Sequence, residues 1–160
     1  MADRSRTRLS MRLAHGAAML AARFSRPMLL GVRGIVADDA NRIFLVRHSY
    51  VEGWHFPGGG VERGETLVDA LARELEEEGN IVLDGPPILH GVFFNRKLAN
   101  RDHVGVYLVR QFHQTGPRAP DREIAESGFF PLDELPAGIA PSARSRIAEV
   151  FEDGPISPLW

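Results

Sequence analysis

Residues 57–81 read PGGGVERGETLVDALARELEEEGNI, and the reading of this stretch decides the rest. Three successive glycines behind Pro57 suit no regular element, so Gly58, Gly59 and Gly60 are expected in a loop whose backbone approaches something closely. Thr66 to Glu78 has neither Gly nor Pro. Leu67, Val68, Leu71, Ala72 and Leu75 share one face at the helical period, and Thr66-x-x-Asp69 opens the run as a capping box. With Leu67 as origin, Glu74, Glu77 and Glu78 fall at about 340°, 280° and 20°, on one arc beside the apolar stripe, while Glu76 near 180° faces solvent. Like charges at this spacing cost helix stability. They sit at the end where the helix dipole disfavours them, and Glu78 borders the buried face. Broken local rules gathered at one place mark a functional site, and a hard divalent cation would reconcile the carboxylates as oxygen ligands.

Working outward, 28–37 (MLLGVRGIVA) and 43–47 (IFLVR) read as strands around a hairpin turn at Asp38 to Asn41. Residues 88–95 and 103–113 read as two more strands, joined by a polar connection and followed by a Gly/Pro loop over 114–121. A short strand over 127–131, a helical turn at Leu132 to Leu135 and a closing helix from Ser142, capped by that serine, to Glu152 complete the chain.

The 160 residues suit one modest core, with 44% hydrophobic and 25% charged positions. The absence of Cys excludes disulfides, zinc-thiolate sites, iron–sulfur clusters and thiol nucleophiles, leaving His, carboxylates and hydroxyls for any chemistry. The net charge of -2 hides a split. Residues 1–33 carry seven Arg and one Asp, a net +6, and residues 34–160 carry twelve bases and twenty acids, a net −8. The basic segment places Leu9, Leu13, Ala17, Leu20 and Phe24 on one arc, which predicts an amphipathic helix over about 8–24, stopped at Pro27. Packing on the domain or on a second copy of the chain, as in a homodimer, is the expected use of that stripe. Weak contact with an anionic membrane surface or an organelle transit segment are the alternatives. No stretch approaches the ~20 apolar residues of a spanning helix and no convincing secretory signal is present, so a cytoplasmic protein is expected. Three units follow: a basic helix over 1–27, a folded domain over 28–153 and a tail over 154–160.

An acidic helix end in isolation reads as a solvated terminus, but its surroundings here are specific. The order is Gly59, five residues, Glu65, seven residues, Arg73-Glu74-Leu75-Glu76-Glu77-Glu78, one residue, Asn80 and Ile81. This resembles the signature of the Nudix hydrolases at every specified position but one, Asn80, where the family usually has Gly. The position after a helix wants a left-handed residue, and Asn is the best non-Gly candidate for it. Pro57-Gly58-Gly59 and Phe129-Phe130-Pro131-Leu132-Asp133-Glu134-Leu135-Pro136 also resemble family segments. The resemblance implies an α/β fold, a Nudix-like α/β/α sandwich with a mixed β-sheet, here preceded by the N-terminal helix.

It further implies Mg²⁺- or Mn²⁺-dependent hydrolysis of a phosphoanhydride bond in a nucleoside diphosphate linked to another moiety. By that resemblance Glu77 and Glu78 are the main metal ligands, Glu74 a ligand or water-activating base, and the Gly59 carbonyl part of the metal shell. Arg73 and Glu65 orient the others, Arg73 as a structural ion pair more than a phosphate contact. Some members take the base from a loop outside the signature; Glu126 is the choice here, with Glu123 and Asp102 as options. Trp54 is a candidate for base stacking, with His55 beside it, and Gly58, Gly59 and Gly60 for substrate contact. Arg96, Lys97 and Arg101 read as a solvated hairpin tip, and His48, His90, His103 and His113 show no ligand-like spacing. The family tags for ADP-ribose and diadenosine polyphosphate enzymes are absent, since Arg96, Lys97 and Leu98 stand at those positions; so are the NADH and coenzyme A patterns. The expected partner is a small nucleotide. The −8 domain argues against nucleic acid, including an RNA 5′ end. The rival is a noncatalytic module that binds a nucleotide or nucleotide sugar, against which all three helical glutamates speak.

Overall fold

The computed structural model describes residues 28–96 and 100–160; the amphipathic helix expected over 8–24 lies outside them, as does Lys97. In chain order the elements are β1 (Leu29–Val36), β2 (Ile43–His48), α1 (Leu67–Gly79), β3 (Ile81–Leu83), β4 (Ile88–Asn95), β5 (Asp102–Val109), β6 (Phe112–Gln114), β7 (Ile124–Phe130), a 3-10 turn (Leu132–Glu134) and α2 (Pro141–Phe151). β5 is the middle strand of a mixed sheet, parallel to β1 and antiparallel to β4. β2 pairs antiparallel with β7, and β3 with β6.

Alternation along the strands builds two cores. Val32 and Val36 of β1, Phe44 and Val46 of β2, and Tyr107 and Val109 of β5 pack with Ala70, Leu71 and Leu75 of α1. The intervening Ile35, Ile43, Leu45, Val104 and Val106 pack with Ala143 and Ile147 of α2. Because successive strand side chains point to opposite faces, this division produces the expected α/β/α sandwich. No helix among the described residues is long and apolar enough to cross a membrane.

Helix α1 starts as its sequence predicts: Thr66 and Asp69 form the reciprocal capping box. It ends at Asn80, which takes the left-handed conformation (φ 51°, ψ 35°) and donates its N–H back to the last turn. Other expectations need correction. The turn after β1 forms, with Asn41 N–H donating to Asp38 O at 2.9 Å. β1 and β2 do not make a hairpin ladder, however; beyond a bridge between Ala37 and Ile43 they enter different sheets. The strand expected over 103–113 is broken at Arg110 and Gln111, because its first part pairs with β1 and β4 and its last with β3. Ser142 does not cap α2. Ala140 holds the cap position without a side-chain bond and Pro141 starts the helix, as its fixed φ and missing N–H favour. The segment read as a tail packs on the domain: Phe94 N–H donates to Pro158 O, Trp160 N–H donates to Phe94 O, and the Trp160 ring joins the α2 core.

Candidate active site

Glu78 lies on the seam between the apolar stripe of α1 and the open face of the helix, and the fold buries it. Its side chain is 7% exposed. One carboxylate oxygen, Oε2, accepts a 2.8 Å hydrogen bond from Gly58 N–H. Oε1 lies 3.5 Å from Nε2 of His48. Burial pushes the Glu78 carboxyl up to about 7, with the Glu74 and Glu123 charges adding to the rise and the Gly58 hydrogen bond and Arg33 opposing it. A carboxylate in this position is costly unless a cation compensates it.

Two glycines make the approach. Gly58 has φ +138°, and a Cβ there would run into Val32 O; a Cβ on Gly59 would run into the Glu74 carboxylate. The loop is pinned to β1 by Val32 N–H donating to Gly59 O and Gly34 N–H donating to Pro57 O, both at 2.9 Å. The Arg33 guanidinium donates to Gly58 O and to Phe56 O. A Cβ on Gly60 would meet nothing within 4 Å, so the close approach expected of the triple-glycine run belongs to its first two residues.

Arg73 organises the opposite wall. Its Nε donates to Glu65 Oε1 at 2.9 Å, and its two NH groups donate to Glu74 Oε1 at 2.7 Å and to Gly60 O at 3.1 Å. The Arg73 guanidinium, through its hydrogen bonds, holds the Glu65 carboxyl below its usual value. Glu77 is turned outward, its side chain 60% exposed and 3.4 Å from Arg73. Of the three helical glutamates, Glu74 and Glu78 line a cleft of about 1440 Å³ that runs from the glycine loop along α2.

The tertiary fold adds residues to this cleft that local reading passes over. His48 at the end of β2 and Glu123 just before β7 join Glu78 so closely that one ligand atom from each lies within 4.8 Å of the others. The Tyr50 hydroxyl donates to Glu123 at 3.3 Å, and Arg33 contributes a cation. Burial first, then the Arg33 charge, pull the His48 imidazole below its ordinary value. The signal for Arg33 was an arginine inside an apolar strand. For His48 there was none, because its partners are 30 and 75 residues away.

Other candidates are placed elsewhere. Glu126 extends from β7 to the surface, paired with Arg47 at 2.5 Å, and the structure does not bring it to the Glu78 cluster. Asp102 is buried at the start of β5 and accepts from Asn95 at 2.8 Å. Trp54 packs edge-on against Phe130 in the α2 core, while its neighbour His55 lines the cleft. Arg96 and Arg101 are exposed.

The donor set fits a divalent cation: a buried carboxylate, two further acids and a glycine loop leave space for an ion that supplies the missing charge. Comparison with known proteins agrees with the architecture. Residues 28–152 match the NUDIX domain. An RNA pyrophosphohydrolase of Halorhodospira halophila is 50% identical over 44 residues, 28% of this chain and 24% of that protein. An m7GpppN-mRNA hydrolase of Xenopus laevis is 31% identical over 111 residues, 58% of this chain and 36% of that protein. These matches thus span from about a quarter to about a third of the curated relatives' length. The crystal structure of a MutT NUDIX hydrolase from Burkholderia pseudomallei superposes with a TM-score of 0.67 at 27% identity, covering 78% of this chain and 99% of that one. A UDP-X diphosphatase structure shares the fold, with a TM-score of 0.60 at 21% identity over 88% of this chain and 71% of its own. The glycine loop, the glutamate helix and the strand that carries His48 all fall inside the matched residues, and the chain belongs to the Nudix family.

Proposed function

We propose that the protein hydrolyses a phosphoanhydride bond in a small nucleoside diphosphate derivative, with Mg²⁺ or Mn²⁺ as cofactor. The observation that carries the reading is Glu78: a buried carboxylate beside Glu123, with no Arg or Lys ion pair among the described residues and only the His48 imidazole close to its free oxygen. Glu78 and Glu74 would hold the cation with the Gly59 carbonyl, and Glu77 completes the set at the exposed edge. When bound there, a divalent ion would supply charge to neutralise pyrophosphate oxygens and would lower the pKa of a water.

The chain's own groups do the rest. Glu123 is within reach of the Glu78 cluster and is the better candidate to accept a proton from the attacking water, in place of the Glu126 expected from sequence. Tyr50 orients the Glu123 carboxylate. Arg33 at the glycine loop gives the departing phosphate a fixed positive neighbour. Arg73 keeps Glu74 and the loop in register through Glu65 and Gly60. The length of the cleft along α2 suits a nucleoside beyond the phosphates.

A second reading has a specific support: the relatives named RNA pyrophosphohydrolases make an RNA 5′ end the other substrate class. The −8 charge of residues 34–160 weighs against it. The test is a Mg²⁺ assay over nucleoside di- and triphosphates, dinucleotides, nucleotide sugars and a 5′-triphosphorylated RNA, with products identified. Turnover of a small nucleotide, abolished by Glu78→Gln, is expected. Binding without turnover across the panel would make the protein a sensor, and turnover by Glu78→Gln at the full rate would remove Glu78 from the site.

A further inference from the structure

His48 occupies an unusual position for an imidazole with no expected role. Its side chain is 7% exposed, Nε2 faces Glu78 Oε1 at 3.5 Å, and Nδ1 is buried with no hydrogen-bond partner among the described residues. An unmatched buried ring nitrogen costs free energy and persists where something else satisfies it or uses it. The backbone brings it there by a specific device. Between Arg47 and His48 the β2–β7 register shifts, so that Arg47 lies opposite Glu126 and His48 opposite Ile124. This irregularity leaves one extra residue, Ala125, on β7. A bulge of this kind re-aims side chains at the end of a ladder. Ser49 N–H then donates to Glu123 O at 2.9 Å, which locks Glu123 beside His48. Two neighbouring strand ends and the last turn of α1 thereby converge on one point. The Gly58 N–H occupies Oε2 of Glu78 and leaves Oε1 turned toward the imidazole.

We propose that His48 is a nitrogen ligand of the cation held by Glu78, and that this mixed imidazole–carboxylate set favours Mn²⁺ over Mg²⁺. The proposal rests on the reading above that Glu78 holds a divalent ion. Its chemistry follows from the donors. Mn²⁺, a first-row transition ion, accepts an imidazole nitrogen beside carboxylates more readily than Mg²⁺, which favours all-oxygen octahedra and sheds water reluctantly. Nε2 faces Glu78 Oε1 at 3.5 Å, and a ring nitrogen of His48 lies within 4.8 Å of a carboxylate oxygen of both Glu78 and Glu123, which places the imidazole as a ligand rather than as a packing group. His55, whose ring lies 6.1 Å from that of His48 and whose Nε2 is engaged with Glu52 O, serves as the internal control.

The experiment uses the full chain loaded with MnCl₂, read by electron spin-echo envelope modulation, which detects directly coordinated ¹⁴N, and by competitive titration with MgCl₂. Wild type is expected to show coordinated ¹⁴N, retained in His55→Gln and lost in His48→Gln. The ratio of Mn²⁺ to Mg²⁺ affinity is expected to fall in His48→Gln, which loses the nitrogen donor. Bound Mn²⁺ without ¹⁴N in wild type, a measurement that needs no variant, would overturn the proposal, as would a signal surviving in folded His48→Gln. Glu78→Gln separates the two readings. If it abolishes Mn²⁺ binding while wild type shows oxygen ligands alone, only the role of His48 falls. If it binds Mn²⁺ as wild type does, the Glu78 cation site itself fails.

Discussion

The Glu78 carboxylate and the Gly58 N–H, 20 residues apart in the chain, are joined by a buried 2.8 Å hydrogen bond that ties the end of α1 to the glycine loop. That bond lowers the carboxyl's pKa, but burial outweighs it and the group is pushed up to about 7. In the unfolded chain the same group titrates near 4.5. Between these values the folded state binds more protons, so the contribution of Glu78 to stability is complete below about pH 4.5 and is lost as pH rises through 7. Metal-free protein in EDTA is therefore expected to lose melting temperature from pH 5 to pH 8 more steeply than Glu78→Gln does. Added Mg²⁺, which binds the ionised form, should restore more stability at pH 8 than at pH 5. Parallel melting curves for wild type and variant would contradict the assignment.

Glu123 and Glu126 are three residues apart, and the proposed chemistry separates them. Glu123→Gln is expected to lower kcat by roughly 10²–10⁴-fold, the usual contribution of a general base. Glu126→Gln breaks an exposed pair with Arg47 and should change kcat by less than about twofold, since such pairs contribute little. Steady-state kinetics of the two variants decide it, and the reverse order would return the base to Glu126.

Arg73 meets Glu65 with both carboxylate oxygens engaged, at 2.9 and 3.2 Å. Lysine cannot reproduce this fork. Arg73→Lys is expected to cost about 1–2 kcal/mol of stability by denaturant unfolding and to lower kcat by releasing Glu74, with KM little changed. A raised KM with unaltered stability would instead make Arg73 a phosphate contact.

Asn80 is in the left-handed region at the end of α1. Asn80→Ala is expected to destabilise by about 1–2 kcal/mol, the cost of that conformation for a residue with a Cβ and no local hydrogen-bonding side chain. Asn80→Gly should fall within a few tenths of wild type, offset in part by loss of the 3.3–3.4 Å contacts from its side chain to Gly116 O and Pro117 O. Urea unfolding of the three proteins orders them, and Ala as stable as Asn would refute the argument.

What the sequence by itself determined is what depends on neighbours within about a turn of helix. Helix α1, its Thr66–Asp69 box and its Asn80 terminus follow from spacing, propensity and φ preference, and the glutamate arc follows from the helical period. The tertiary structure decided everything carried by long-range pairing. β1 and β2 look like a hairpin because the turn between them is sound, yet β1 is claimed by β5 and β2 by β7. The register shift between Arg47 and His48 turns His48 toward Glu78 while Arg47 stays with Glu126 at the surface. A strand's faces alternate with every residue, so a shift of one position reassigns what points inward. No local pattern encodes that shift, because it is set by a partner strand some 75 residues further along.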